Sequence, residues 1–343
     1  MYFDANNLYG GAMVQHLPTG GIEVESDAKT LERQQNHDET VEMLMSIPPD
    51  ATRGCWPEVT LEYPDELHDT FSDFPPAPEK RALTYEMLSP KQRELLHMFD
   101  NSPEQYCSVE KLVHSLEPKR NYVCHYRNLQ LYLSLGMKLV KVHRIVWFNQ
   151  SPWLKKYIDF NTAQRTKSTT DFGKDFFKLM NNAVFGKTME NVRNRRNVEV
   201  TTNDERLIKL IARPTFHTAK SISEDINVVE NYKTSVTLDK TAYVGLSILE
   251  ISKNPIVNFH YGYIKKQYPG PLSTLLFSDT DSLCYRIRTR DVYADMLAHA
   301  DEFDWSEYPS THTVFKGMCA DEIEELRKRN KKVLLRMNLT VIG

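Results

Sequence analysis

Two aspartates one residue apart, Asp279 and Asp281, stand in Phe277-Ser278-Asp279-Thr280-Asp281-Ser282 between apolar runs. Carboxylates so spaced offer hard oxygen ligands to a magnesium-type cation, because alternate residues of a strand share a face. Leu272 to Phe277 and Leu283 to Ile287 both read as strands, and the polar interval between them suits a hairpin turn. That places the pair at a hairpin tip. A two-metal site needs a further carboxylate, since it must bridge ions roughly 3.5 to 4 Å apart. Asp4 is the candidate: it follows the short apolar start Tyr2-Phe3 and precedes a turn-like Ala5-Asn6-Asn7, although 275 residues separate it from Asp279.

A helix must carry the second group of candidates. Thr170 to Asn191 has helical periodicity, and at about 100° per residue Lys174, Lys178, Asn182 and Phe185 fall on one stripe, with Phe176, Phe177, Met180 and Val184 opposite as the buried face. Lysines beside an aromatic ring suit the triphosphate and base of a nucleotide. Between Arg165 and Arg196 there are eight basic residues against three acidic ones, so this stretch is locally positive in a chain whose net charge is −3. The overall charge argues against a protein that coats nucleic acid non-specifically.

Composition bounds the rest. With 343 residues, 41% hydrophobic and 26% charged, the chain reads as a globular protein of one to three domains. No apolar run approaches the roughly 20 residues that span a bilayer, and no signal-peptide pattern opens the chain, so a soluble, intracellular protein is expected, with no membrane partner. Cys55, Cys107, Cys124, Cys284 and Cys319 lie far apart and suggest neither disulfides nor a zinc site. The scatter of His125, His143 and His260 points to structural roles.

In chain order, Asp27 to Ser46 reads as one surface helix and Cys55 to Tyr63 as a strand. Ser89-Pro90-Lys91-Gln92 reads as a capping box opening a helix. Tyr126 to Leu135 continues as a helix closed by Gly136, and Lys138 to Phe148 as a strand. Thr241 to Ile251 and Val257 to Ile264 read as separate elements, broken at Ser252-Lys253-Asn254-Pro255. Asp291 caps a helix through Ala300, Asp301 to Glu307 reads as an acidic loop, and Glu322 to Lys332 as a charged helix.

The order D-x-x-N-L-Y at Asp4 to Tyr9, K-x-x-x-N-x-x-F-G at Lys178 to Gly186 and D-T-D-S at Asp279 to Ser282 resembles motifs A, B and C of family B DNA polymerases. It is most similar to the protein-primed viral, organellar and mobile-element branch. Lys119 to Lys187, including His125-Tyr126-Arg127-Asn128-Leu129-Gln130, and Tyr243 to Tyr263 also resemble this branch. The resemblance implies an α+β fold: a polymerase palm, an antiparallel sheet with helices, plus helical fingers and inserted terminal-protein-region subdomains. The implied division is palm at 1–20 and 241–318, a first insertion at 21–150, fingers at 151–196, a second insertion at 197–240 and an altered C-terminus at 319–343. Gly10 and Asn7 stand where the family usually has proline and serine, and Phe185 where it more often has tyrosine. The family's exonuclease domain, its K-x-Y primer-binding element and its thumb have no counterpart in these residues.

The resemblance further implies template-directed nucleotidyl transfer from deoxynucleoside triphosphates to a primer on DNA, with a terminal protein as primer partner. Two Mg²⁺ ions, or Mn²⁺ in their place, would be held by Asp4 and Asp281, with Asp279 in a supporting catalytic role. Leu8 would offer a backbone amide to the triphosphate, Tyr9 would lie under the sugar, Lys174 and Lys178 would neutralise phosphates, and Asn182 and Phe185 would position the nucleotide. Two other readings are a reverse transcriptase, whose aspartate pair is normally adjacent, and an incomplete polymerase copy that only binds nucleic acid or nucleotide.

Overall fold

Tyr2-Phe3-Asp4-Ala5 alternates strictly in burial, Phe3 and Ala5 inward and Tyr2 and Asp4 half-buried, as a strand with one covered face requires. In the computed structural model, which describes residues 1–98, 109–306, 308–329 and 335–337, this strand is an interior member of a four-stranded antiparallel sheet. The order is Ser273–Asp279, Ser282–Ile287, Tyr2–Ala5, Leu335–Met337. Phe3 anchors the covered face: its ring lies 5.0 Å from Phe259, 5.9 Å from Tyr285 and 6.2 Å from Phe303. Aromatic contacts at these separations add stability beyond the area they bury.

The chain divides into two units, residues 1–158 with 249–343, and residues 159–248. The first unit also contains a second antiparallel sheet in the order Leu17–Val24, Lys138–Ser151, Arg53–Glu62, Lys119–Val123. Val59, Leu61, Val142 and Ile145 line its buried side and join the same hydrophobic core as Phe3 and Phe259. The second unit holds a three-stranded antiparallel sheet, Arg196–Thr201, Asn227–Tyr232, Phe216–Ser221, together with the helices Asp171–Thr188 and Asp204–Ile211. The fold is mixed α+β with antiparallel sheets. Among the described residues no helix is long and apolar enough to cross a membrane.

The capping box is present as read: Ser89 N–H donates to Gln92 Oε1 at 2.9 Å and Gln92 N–H donates to Ser89 Oγ at 3.2 Å, opening the helix Pro90–Met98. Gly136, at φ 101°, ends the helix Tyr126–Ser134 in the left-handed region where a side chain is costly.

Four expectations need correction. The single helix over 27–46 is two, Asp27–Gln35 and His37–Ser46, because Asn36 leaves helical geometry at φ −104°, ψ 58°. The break at Ser252 to Pro255 does not occur: the helix Ala242–Asn258 runs through Pro255 and continues as a π-turn, Phe259–Ile264. Proline removes one amide donor, and the wider π-turn that follows re-pairs the backbone in a different register. The acidic loop after Asp301 is partly a core element, since Phe303, Asp304 and Trp305 are buried while Asp301 and Glu302 are exposed. The helix capped by Asp291 is short, Val292–Leu297, and a separate 3-10 turn follows at Ala300–Glu302. Of the charged helix read over 322–332, Ala320–Arg329 is described, and residues 330–332 lie outside the described residues, as does Glu307.

Candidate active site

The hairpin register places the carboxylates. Asp4 pairs with Ser282, and Ser282 pairs with Asp279 on its other side, so Asp4, Ser282 and Asp279 form one cross-strand row on the face opposite Phe3. Asp281 sits in the turn, and the amide of Ala5 donates to its carbonyl at 2.7 Å. The backbone therefore makes Asp4 and Asp281 neighbours, with Asp279 one strand further out. Adjacent strands are roughly 4.8 Å apart, so Asp4 and Asp279 stand about twice that distance from each other.

The turn that presents Asp281 is tight and closed on itself. Thr280 is held at φ 49°, an unusual conformation for a β-branched residue. Its hydroxyl donates to Asp279 Oδ1 at 3.2 Å, and Ser282 Oγ donates to the Asp279 carbonyl at 3.0 Å. Strain of this kind is kept where the surrounding structure over-determines it, here by pairing on both sides of Ser282–Ile287.

After Asp4 the chain turns at Asn7, φ 50°, into the short helix Leu8–Met13. Asparagine tolerates this left-handed geometry better than most residues. The Leu8 side chain is buried, which leaves its backbone amide as its polar contribution, and an amide at a helix start is not needed by the helix. Tyr9 is half-buried, and burial, with the Asp281 charge second, raises its hydroxyl pKa, so Tyr9 stays protonated beside Asp281. A Cβ on residue 10 would stand 2.1 Å from Asn7 Nδ2, so Gly10 and Asn7, the two departures in this segment, are one coupled departure. That coupling was not readable from the motif, although Ala5-Asn6-Asn7 read as a turn.

In the second unit, Lys174, Lys178 and Asn182 are exposed along Asp171–Thr188 and Phe185 is half-buried. The buried face differs from expectation. Phe176 is 43% exposed, and with Phe172 at 80% and Leu179 at 64% it lies on an open apolar side. The inward positions are Asn181 and Thr188 beside half-buried Phe177 and Val184. A polar residue can hold such a place when paired, and Asn181 Oδ1 accepts from Asn161 Nδ2 at 3.0 Å. Part of the local positive charge is paired: Glu190 meets Lys187 at 3.0 Å and Arg195 at 2.8 Å, and Lys174 lies 3.8 Å from Asp171.

Among the described residues no three His, Cys, Asp or Glu side chains stand close enough to hold a metal by themselves. Mg²⁺ does not need such a cage, because it is commonly bound by one or two carboxylates together with water and substrate phosphates. The donor set of Asp4 and Asp281, hard oxygens at a partly open strand end, fits that pattern.

No family model matches this chain, and no curated protein matches it. Solved structures do. The chain is similar to phi29 DNA polymerase complexed with primer-template DNA and incoming nucleotide substrates, at 15% identity and a TM-score of 0.47, over 86% of this chain and 40% of that one. It is similar to the orthorhombic crystal form of phi29 DNA polymerase at 15% identity and 0.47, over 89% and 40%, and to its post-translocation binary complex with primer-template DNA at 15% and 0.44, over 86% and 40%. The chain thus spans about 40% of the length of the solved structures it matches.

Proposed function

We propose that the chain carries the catalytic region of a template-directed DNA polymerase, joining deoxynucleotides to a primer hydroxyl on DNA. The observation that supports this reading is the convergence of Asp4, Asp279 and Asp281, remote in sequence, on neighbouring strand ends of one sheet. Bound divalent cations, Mg²⁺ or Mn²⁺, would favour ionisation of the primer hydroxyl and neutralise charge on the departing phosphates. Asp4 and Asp281 hold them in this reading, and Asp279 supports the primer end.

The protein's other groups bind and orient. Leu8 donates its amide to a triphosphate oxygen, and the Tyr9 ring lies under the sugar, where its bulk leaves no room for a 2′-hydroxyl. Lys174 and Lys178 neutralise phosphates, which long exposed lysines do as mobile point charges. Asn182 and Phe185 position the nucleotide, the ring by stacking. A terminal protein serves as the primer by the family resemblance.

Primer extension on a DNA template with Mg²⁺ and deoxynucleoside triphosphates tests the reading, with Asp281→Asn as control. Template-dependent extension that falls on the order of a hundredfold or more in the variant supports it. Extension that is equal in both chains sinks it. The alternative is binding of nucleic acid or nucleotide without turnover. It predicts template-primer binding with no extension at any Mg²⁺ concentration.

A further inference from the structure

The π-turn Phe259–Ile264 holds a histidine that the proposed chemistry does not use. His260 is fully buried, and its Nδ1 lies 2.7 Å from the hydroxyl of Tyr285, itself fully buried on the strand Ser282–Ile287. On the other side of the ring, Nε2 stands 3.4 Å from Asp73 Oδ1, and Asp73 Oδ2 accepts from Lys265 Nζ at 2.6 Å. Three stretches far apart in sequence therefore meet through one ring: the turn around Asp73, the π-turn and the strand that follows Asp281.

The two links are not equivalent. Tyr285 lies within hydrogen-bond distance, and burial lowers the His260 pKa, which favours the neutral imidazole; in the Nε2–H tautomer Tyr285 O–H donates to Nδ1 and the Nε2 proton faces Asp73. The contact to Asp73 is long, and among the described residues neither His260 Nε2 nor Asp73 Oδ1 forms a well-made hydrogen bond. Buried donors and acceptors left so cost free energy, which a movement of a few tenths of an ångström would recover.

Tyr285 is well placed to transmit such a movement. It packs edge-on against Phe3 at 5.9 Å, and Phe3 is the residue before Asp4. It also lies on the strand that leads out of the Asp279-to-Ser282 turn. A shift of the Tyr285 ring therefore acts on both strands that carry the carboxylates.

We infer that His260 is a positioning residue: the Asp73–His260–Tyr285 relay sets the placement of the Asp281 turn against Asp4, and so tunes the divalent-cation affinity of that site from the turn around Asp73. The inference rests on the reading of Asp4 and Asp281 as cation ligands. Group by group the relay is conservative to test, because Tyr285→Phe removes one oxygen and keeps the ring, and Asp73→Asn keeps the shape.

The experiment measures Mn²⁺ affinity by titration calorimetry and amide hydrogen exchange over residues 275–283, for wild type, Asp281→Asn, Tyr285→Phe, Asp73→Asn and the Tyr285→Phe/Asp73→Asn double variant. Each relay variant should weaken Mn²⁺ binding by roughly twofold to thirtyfold, the range of coupling through packed networks, and the double variant should weaken it no further than the stronger single one. Exchange in the hairpin should quicken selectively in both. A purely structural role for His260 would lower the melting temperature and leave Mn²⁺ affinity and hairpin exchange alone, which overturns the inference. If wild type and Asp281→Asn bind Mn²⁺ equally or not at all, the cation reading fails, and hairpin exchange still decides whether the relay positions the turn.

Discussion

The amide of Ala5 donates to the carbonyl of Asp281 at 2.7 Å, which ties the backbone next to Asp4 to the turn between Asp279 and Ser282. The backbone thereby makes Asp4 and Asp281 neighbours. Carboxylates that share a cation repel each other in its absence. We expect Asp281→Asn to be as stable as wild type in chelator, or more stable by up to about 1 kcal/mol, the scale of exposed charge pairs. Excess Mg²⁺ should raise the wild-type melting temperature, a gain of about 2.7 kcal/mol at a hundredfold excess over the dissociation constant. It should leave the variant unmoved. Thermal melts with and without Mg²⁺ check both halves, and an equal response of the two proteins would remove Asp281 from the site.

Tyr9 should discriminate between sugars if the polymerase reading holds. Replacing the half-buried ring by alanine opens space beside the 2′ carbon, so ribonucleotide incorporation relative to deoxyribonucleotide should rise on the order of tenfold or more. The two incorporation efficiencies, measured on one template, give the ratio directly. An unchanged ratio would return Tyr9 to a packing role.

Asn7 and Gly10 should be coupled. A methyl on residue 10 meets the Asn7 side chain, so Gly10→Ala should destabilise by about 1 kcal/mol despite alanine's better helix propensity. Asn7→Gly accepts the left-handed φ and removes the obstruction. In that background Gly10→Ala should become neutral or stabilising. A double-mutant cycle by urea denaturation reads the coupling, and additive effects would show that the Asn7 side chain simply swings aside.

Acid should loosen the fold well above the carboxylate range. His125 is fully buried, and its Nδ1 accepts the Arg127 amide at 3.4 Å as the cap of the helix Tyr126–Ser134. Burial, with the Arg127 charge second, lowers its pKa from 6.5 to about 3. The unfolded chain therefore takes up the proton first, so the stability is present above pH 6.5 and is lost as pH falls from there toward about 3. The slope should approach roughly 1.4 kcal/mol per pH unit for this one group. Asparagine keeps a cap without titrating, so His125→Asn should flatten the profile between pH 6.5 and 4.5 in denaturant melts. An unchanged slope would place the acid sensitivity elsewhere.

The parts legible in the sequence were those decided by neighbours along the chain. The hairpin at Asp279, the Ser89 capping box and the Gly136 stop all depend on contacts within a few residues, where propensity and geometry agree. Order of motifs, rather than any single pattern, drew Asp4 toward the hairpin. What escaped depended on remote partners. Pro255 reads as a breaker, yet packing keeps the helix Ala242–Asn258 whole. Asp301 to Glu307 reads as an acidic loop because its charges outnumber Phe303 and Trp305, whose burial is invisible without the core they fill. Phe176 reads as buried from its place opposite the lysine stripe, whereas Asn181 takes the inward place, where Asn161 pairs with it.

The first strand of the sheet finds its partner very late. Tyr2 pairs with Cys284, about 280 residues further on. A ribosome adding about 5 to 20 residues per second would leave Tyr2–Ala5 without that partner for on the order of tens of seconds. During that interval Phe3 has neither the strand nor the Phe259 ring that later cover it. Until Cys284 emerges, the nascent chain therefore carries an unpaired strand with Phe3 uncovered. Yield of folded protein should then depend on translation speed through the long interval between the strand and its partner, more than on any residue of the finished site.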